Sequence, residues 1–272
     1  MRGVRNVQKT NPHLQSPSFW YRIKPMKILL SNDDGVDAVG LRALIEVFAK
    51  EHSVCACAPD RQQSAVSKAL TLYSPLRAGR FAVAGFPEVE AYAVGGTPVD
   101  CVRLGLGNLV SPPDVIISGI NAGANLGTDT LYSGTCAAAQ EGALRGYPSF
   151  AISIASFTPK HLGTAARAAV RALDWVLQNP LPFGAYYNIN VPDLPESEIR
   201  GVRRTELGIV EYEDRYEERV DMIDRRYYWA PREMLRPQTE QNTDAQGIAE
   251  GYITVTALSY NNAVPPGGEP NF

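Results

Sequence analysis

Short apolar runs and stretches of helical spacing alternate along most of the chain, and that alternation predicts the layering of the fold. Lys27 to Ser31, Ser53 to Ala58, Glu90 to Val94, Val115 to Ser118, Ser149 to Ala155 and Tyr186 to Val191 are short runs rich in apolar residues. Polar, Gly- or Pro-containing turns bound them, so each reads as a strand. Between them, Val39 to Phe48 and Leu162 to Gln178 repeat apolar residues at helical spacing, and Thr97-Pro98 opens a further helix to about Leu109 with a cap followed by proline. Strands alternating with helices predict an α/β class with a Rossmann-like, mostly parallel sheet covered by helices on both faces. After Val202 the pattern breaks: Glu206 to Gln241 is dense in charge with Tyr and Trp interspersed and has no long helical period, which suits a projecting C-terminal β arm. Tyr252 to Leu258 then reads as a strand returning to the core. The expected organisation is an extension over residues 1–25, a core over 26–205, an arm over 206–241, and a returning strand with a tail over 242–272. No internal repeat is visible.

Composition narrows the class. The 272 residues are 44% hydrophobic and 20% charged, which excludes disordered, collagen-like and coiled-coil chains and supplies enough apolar surface for a real core. A net charge of −3 and a pI of 5.7 argue against a broad nucleic-acid surface and leave room for a small anionic substrate if a metal supplies the positive charge locally. The 4 cysteines are too few for a disulfide scaffold in a chain of this length. Cys55 and Cys57 share one face of a strand, Cys101 and Cys136 fall in separate helices, and all four read as buried reduced thiols of a cytoplasmic protein. Neither a membrane span nor a secretory signal is visible. Residues 1–25 carry Arg2, Arg5, Lys9, Arg22 and Lys24 and no acid; a transit peptide, a disordered tail and a start codon upstream of Met26 all fit that composition.

In an open parallel sheet, ligands bind outside the carboxyl ends of the strands. Four loops qualify: Ser31 to Gly35, Pro59 to Ser64, Gly95 to Thr97, and Ser118 to Asn125. Asp33 and Asp34 stand side by side at the first strand end, where two carboxylates repel unless a cation or a proton intervenes. A divalent metal is one solution; a helix cap beside a solvated acid is the other. Ser64 and Asn121 add neutral oxygens from neighbouring strand ends, or serve as a helix cap and a turn residue. As ligands, the four make a hard, oxygen-only set that favours Mg²⁺ or Mn²⁺ over zinc. Ser133-Gly134-Thr135 opens a small-residue helix, as a simple cap or as an anion site. Arg61 and Lys68 are the nearest cations, equally readable as surface charge. The glycines at 119, 123 and 127 do not spell the dinucleotide fingerprint, and no Walker lysine follows a Gly-rich loop. His13, His52 and His161 all lie outside the four loops, which disfavours a Ser-His-Asp or His-ligated zinc hydrolase.

The runs KILLSNDDG (27–35), APDRQQSAVSKALT (58–71), GGTPVDCVRLGL (95–106), PDVIISGINAGANLGTDTLYSGTCAAAQEGALRGYPSFAIS (113–153), NINVPDLP (188–195) and TDAQGIAEGYITVTAL (243–258) closely resemble the survival protein E (SurE) family of metal-dependent nucleoside monophosphate phosphatases. The resemblance spans about Met26 to Leu258. It implies a Rossmann-like core, a projecting arm used in oligomer contacts, and hydrolysis of 5′- and 3′-mononucleotides. Carried over by position, it implies one divalent ion, Mg²⁺ or Mn²⁺, on Asp33, Asp34, Ser64 and Asn121, with Asn125, Ser133, Gly134 and Thr135 near the phosphate. Val39 and Ala65 depart from the Pro and Gly usual in those motifs.

The expected chemistry is phosphomonoester hydrolysis with Asp33 and Asp34 as the catalytic pair. Two alternatives stay open: a phosphatase forming an aspartyl phosphate at Asp33, and a nucleotide-binding module without catalysis. The expected partners are a nucleoside monophosphate and further copies of the same chain, as a homodimer or homotetramer through the 206–241 arm. No stable nucleic-acid partner and no membrane are expected.

Overall fold

The computed structural model describes residues 24–212, 215–230 and 241–261. Its main sheet contains β1 (Lys27–Ser31), β2 (Ser53–Pro59), β3 (Ala78–Phe81), β4 (Glu90–Val94), β5 (Val115–Ala122), β6 (Ser149–Ile154), β7 (Ala185–Val191), β8 (Val202–Arg204) and β11 (Ile253–Ser259). Their spatial order is β3-β4-β2-β1-β5-β6-β7-β11-β8. The six inner strands from β4 to β7 are mutually parallel, β3 pairs antiparallel with β4 at one edge, and β11 pairs antiparallel with β7 before the parallel partner β8 closes the other. The mostly parallel sheet expected from the alternating pattern is therefore present.

Alternation along β1 explains how the layers form. Ile28 and Leu30 face the layer of α1 (Val39–Phe48) and α4 (Leu162–Gln178), in one core with Leu41, Leu44, Phe48, Ala169 and Leu173. Leu29 faces the other way, toward Cys55, Cys57 and Ile116 and the layer of α2 (Pro98–Leu104) and α3 (Gly134–Leu144). Residues that alternate in sequence thus bury on both faces, as an inner parallel strand requires. The 10 residues from Gly134 to Ala143 are all buried, because α3 carries mainly small side chains and lies close against β5, β6 and β7. All four cysteines are free and buried.

Three elements carry little sequence signal. β3 is an exposed edge strand, β8 has three residues, and α5 (Asp244–Ala249) is a six-residue helix capped by the Thr243 side chain. The expected arm contains β9 (Glu217–Val220) and β10 (Arg226–Trp229), an antiparallel hairpin outside the main sheet. Of the extension and tail expected at the two termini, residues 1–23 and 262–272 lie outside the described residues, as do residues 213–214 and 231–240 of the arm. Among the described residues no helix is long and apolar enough to cross a membrane.

The order also positions the site. From β1 the chain crosses through α1 to β2 on one side, whereas β5 lies on the other. The carboxyl ends of β1 and β5 therefore flank a topological switch point, where a crevice opens above the sheet.

Candidate active site

Asp33 and Asp34 stand just past the end of β1, in the turn that Asn32 closes: its amide donates to the Gly35 carbonyl at 2.9 Å and accepts from the Gly35 N–H at 3.1 Å. Asp33 is only 4% exposed. Burial pushes its carboxyl up to about 6; the Thr135 hydroxyl, donating to Oδ1, pulls the other way, and the neighbouring Asp34 charge adds to the rise. Asp34 is also raised by burial, against the Ala122 N–H that donates to its Oδ2 at 3.3 Å. A small cavity of about 180 Å³ beside Asp34 is lined mostly by apolar side chains, among them Val39, Ile120, Ile154 and Leu162.

The first turn of α3 points at this pair. Ser133 is the helix cap, its Oγ accepting from the Cys136 N–H at 3.0 Å while its hydroxyl keeps a proton to donate. Gly134 allows the helix its close approach: a Cβ there would lie 2.7 Å from the Asp33 Cβ and 2.9 Å from Pro98 Cγ. The Thr135 hydroxyl and N–H are both committed to Asp33, so at this helix end the hydroxyl proton of Ser133 and the Gly134 N–H are what an anion would meet.

Asn121 reaches the crevice because β5 is irregular at its end. The β5–β6 register shifts between Ser118 and Asn121, and at Gly119, with φ +141°, a Cβ would lie 2.2 Å from the Ile152 carbonyl oxygen. Such a bulge re-aims the residues beyond it. It also explains why the apolar run ends at Ser118 in the sequence reading although the strand continues to Ala122. The Asn121 amide donates to the Gly123 carbonyl at 2.7 Å, leaving Oδ1 to face other partners. The loop after β2 is drawn to the same place by the Gln63 N–H, which donates to the Asp33 carbonyl at 2.7 Å; Ser64 follows it and is exposed.

Asp33, Asp34, Asn121, Gly134 and Thr135 are thus brought together by direct contacts or by the next residue in the chain, and Ser133 caps the same helix. Ser64 lies in the adjoining loop and forms no hydrogen bond to the acids among the described residues. Asn125 instead hangs from the neighbouring strands: its N–H donates to Asn190 Oδ1 at 2.8 Å and its side-chain amide to Ser153 Oγ at 2.8 Å. Arg61 and Lys68 are exposed, and among the described residues neither aspartate forms an ion pair. The described residues contain no cluster of three or more His, Cys, Asp or Glu, so the neutral oxygens of Ser64 and Asn121 would have to complete any metal shell. Two adjacent carboxylates, a hydroxyl and an amide, with no protein cation between them, fit a hard divalent ion.

Residues 28–214 match the family model described as Survival protein SurE. The chain belongs to the SurE family. Within that family it is 46% identical over 252 residues to the 5′-nucleotidase SurE of Cyanothece sp., covering 89% of this chain and 93% of the relative. It is likewise 46% identical over 236 residues to the 5′-nucleotidase SurE of Synechococcus sp., covering 86% and 91%. The crystal structure of the SurE protein from Aquifex aeolicus superposes with a TM-score of 0.73 at 33% identity, covering 87% of this chain and 94% of that one. The SurE match takes in the candidate site from β1 through the loop before α3.

Sequence reasoning passed over Asn188 and Asn190, both fully buried in β7. The available signal was two asparagines at alternate positions in an inner parallel strand, where apolar residues normally run unbroken.

Proposed function

We propose that this SurE protein is a divalent-metal-dependent 5′-nucleotidase that hydrolyses nucleoside monophosphates to nucleoside and phosphate, with action on 3′-nucleotides as a second specificity. The observation that carries the reading is the adjacent Asp33–Asp34 pair, with Asp33 buried and Asp34 half-buried, which forms no ion pair among the described residues and faces the N-terminus of α3. Asp33, Asp34, Ser64 and Asn121 would hold one Mg²⁺ or Mn²⁺. When bound, that ion supplies positive charge to the phosphoryl oxygens and lowers the pKa of water.

The protein groups do the positioning. Ser133, the first-turn N–H of Gly134 and the Asn125 amide donate to the phosphoryl oxygens, where charge builds in the transition state. Thr135 orients Asp33 through its hydroxyl. Asp34 accepts the proton of the attacking water, whose oxygen bonds to phosphorus as the P–O ester bond breaks, and Asp34 returns that proton to the departing nucleoside oxygen, which leaves as a hydroxyl. Phosphoryl transfer relies mainly on such positioning and charge stabilisation, so no histidine is required. The same reading includes a cytoplasmic location and a dimer or tetramer assembled through residues 206–241, whose hairpin exposes Tyr227, Tyr228 and Trp229.

Mn²⁺-dependent release of phosphate from AMP, set against 3′-AMP and ribose 5-phosphate, tests the activity. Asp33→Ala and Asp34→Ala are each expected to abolish it; near-normal turnover in either variant refutes the site. Labelled phosphate trapped on Asp33 after an acid quench would replace the water mechanism with an aspartyl phosphate. Nucleotide binding without turnover across a panel of divalent metals would replace catalysis with binding alone.

A further inference from the structure

Asn121, Ser153, Asn190 and Thr254 are register partners in turn, forming one polar rung across β5, β6, β7 and β11. Asn188 stands two residues before Asn190 on the same face of β7. Ser153, Asn188 and Asn190 are all fully buried, and burying an asparagine is costly unless its amide is bonded. Here the amides converge on one residue of the loop above. The Asn125 carbonyl accepts from Asn188 Nδ2 at 2.8 Å and from Asn190 Nδ2 at 3.0 Å, while the Asn125 N–H donates to Asn190 Oδ1 at 2.8 Å.

Asn190 therefore engages the main chain of Asn125 as a neighbouring strand would, with one donor and one acceptor, and Asn188 adds a second donor. Both main-chain groups of Asn125 are consumed. One N–H of its side-chain amide goes to Ser153, leaving the other as the only donor this residue has for a ligand. The clamp also sits about a third of the way along the segment that joins Asn121 to Ser133. That segment is held further on by Asp244, whose Oδ2 accepts from the Gly127 N–H at 2.8 Å.

We infer that Asn188 and Asn190 are positioning residues for phosphate: they fix the main chain of Asn125 so that its remaining amide N–H and the following α3 N-terminus meet the phosphoryl group in register. The inference rests on the nucleotidase reading and extends it to a strand that does not itself touch substrate. It requires the clamp to govern phosphate affinity and turnover while leaving the aspartate end of the site alone. Displacing a reacting group by about an ångström costs on the order of 100-fold, and removing an outer hydrogen-bond partner about 10- to 100-fold.

The test is calorimetric titration of Mn²⁺, and then of inorganic phosphate, into the full-length protein and its Asn188→Ala, Asn190→Ala and Ser153→Ala variants, with AMP turnover measured in parallel. For the two β7 variants, phosphate affinity and kcat are expected to fall about 10- to 100-fold, with Mn²⁺ affinity unchanged. Ser153→Ala, a small change that spares β7, should move phosphate affinity in the same direction, and it keeps the inference testable if the β7 variants do not fold. Folded variants that bind phosphate as the parent does, or that lose Mn²⁺ and phosphate together, overturn it. A parent that neither binds phosphate nor turns over AMP with Mn²⁺ refutes the nucleotidase reading, a separate result that removes the premise as well.

Discussion

Ala65, one residue beyond Ser64, holds φ at +57°, in the left-handed region where a Cβ crowds the following carbonyl. Glycine is the residue that accepts this conformation freely, and glycine is what the resemblance to the family's motif implies here. Ala65→Gly is expected to raise the unfolding free energy by about 1 kcal/mol, read from the urea midpoint; a lower midpoint would mean that the loop does not feel this strain. Val39 is the opposite case. It is exposed, occupies the first position of α1 after Ala38, and suits proline, since its N–H lies outside the helical ladder. Val39→Pro should therefore leave stability unchanged or raise it by up to about 1 kcal/mol. At Gly134 the prediction is loss: a Cβ 2.7 Å from that of Asp33 must displace the acid, so Gly134→Ala should remove most AMP hydrolysis from a protein that still folds, as checked by turnover beside circular dichroism. Asp33 and Asp34 were legible because two adjacent acids stand in the turn just after a short apolar run. The bond from Thr135 to Asp33 was not, because it joins residues 102 positions apart and only the sheet order brings them together.

At the scale of elements, the helices were the most legible part. α4 spans the interval that its periodicity predicts, and α2 has a complete capping box, Thr97 with Asp100, behind Pro98. Asp100 does more than cap. It also accepts from the Thr71 hydroxyl at 2.6 Å and the Thr71 N–H at 3.1 Å, tying the stretch beyond Ser64 to the start of α2. Burial works against its charge, yet the hydrogen bonds from Thr71 and Thr97 outweigh it and hold the carboxyl below the usual 3.8. A carboxyl lowered by folding adds stability that is complete above its unfolded value and is lost as pH falls through the folded one. Asp100→Ala should therefore cost about 2 kcal/mol at neutral pH and flatten the acid limb of the stability curve below about pH 4, measured by urea unfolding at stepped pH. An unchanged acid limb would contradict this. β3, β8 and α5 escaped sequence reasoning because their form is imposed from outside: an edge pairing, a three-residue addition beside β11, and a cap at Thr243 followed by one short turn of chain.

For the whole molecule, the arm is where sequence and core meet. Its root is bonded to the site loop: the Val210 carbonyl accepts from the Thr128 hydroxyl at 2.8 Å, and the Tyr212 hydroxyl donates to Asp129 at 2.6 Å. The hairpin beyond it leaves Met222, Ile223, Tyr227, Tyr228 and Trp229 exposed, more apolar surface than two strands can shelter by themselves. Deleting residues 211–236 is expected to reduce the assembly to monomers by light scattering and to lower turnover through the lost Asp129 contact. A parent that is already monomeric, or a folded deletion that keeps the parent assembly, would refute the oligomeric role. The buried cysteines make motion in the core measurable. Burial pushes the Cys55 and Cys136 thiols up to about 12, so a thiol reagent reacts with either only after the layer above has lifted. Each cysteine is then a clock sealed inside the sheet: the labelling rate of Cys136 counts how often the start of α3 parts from β7, and phosphate held at that helix end should lengthen the interval between ticks.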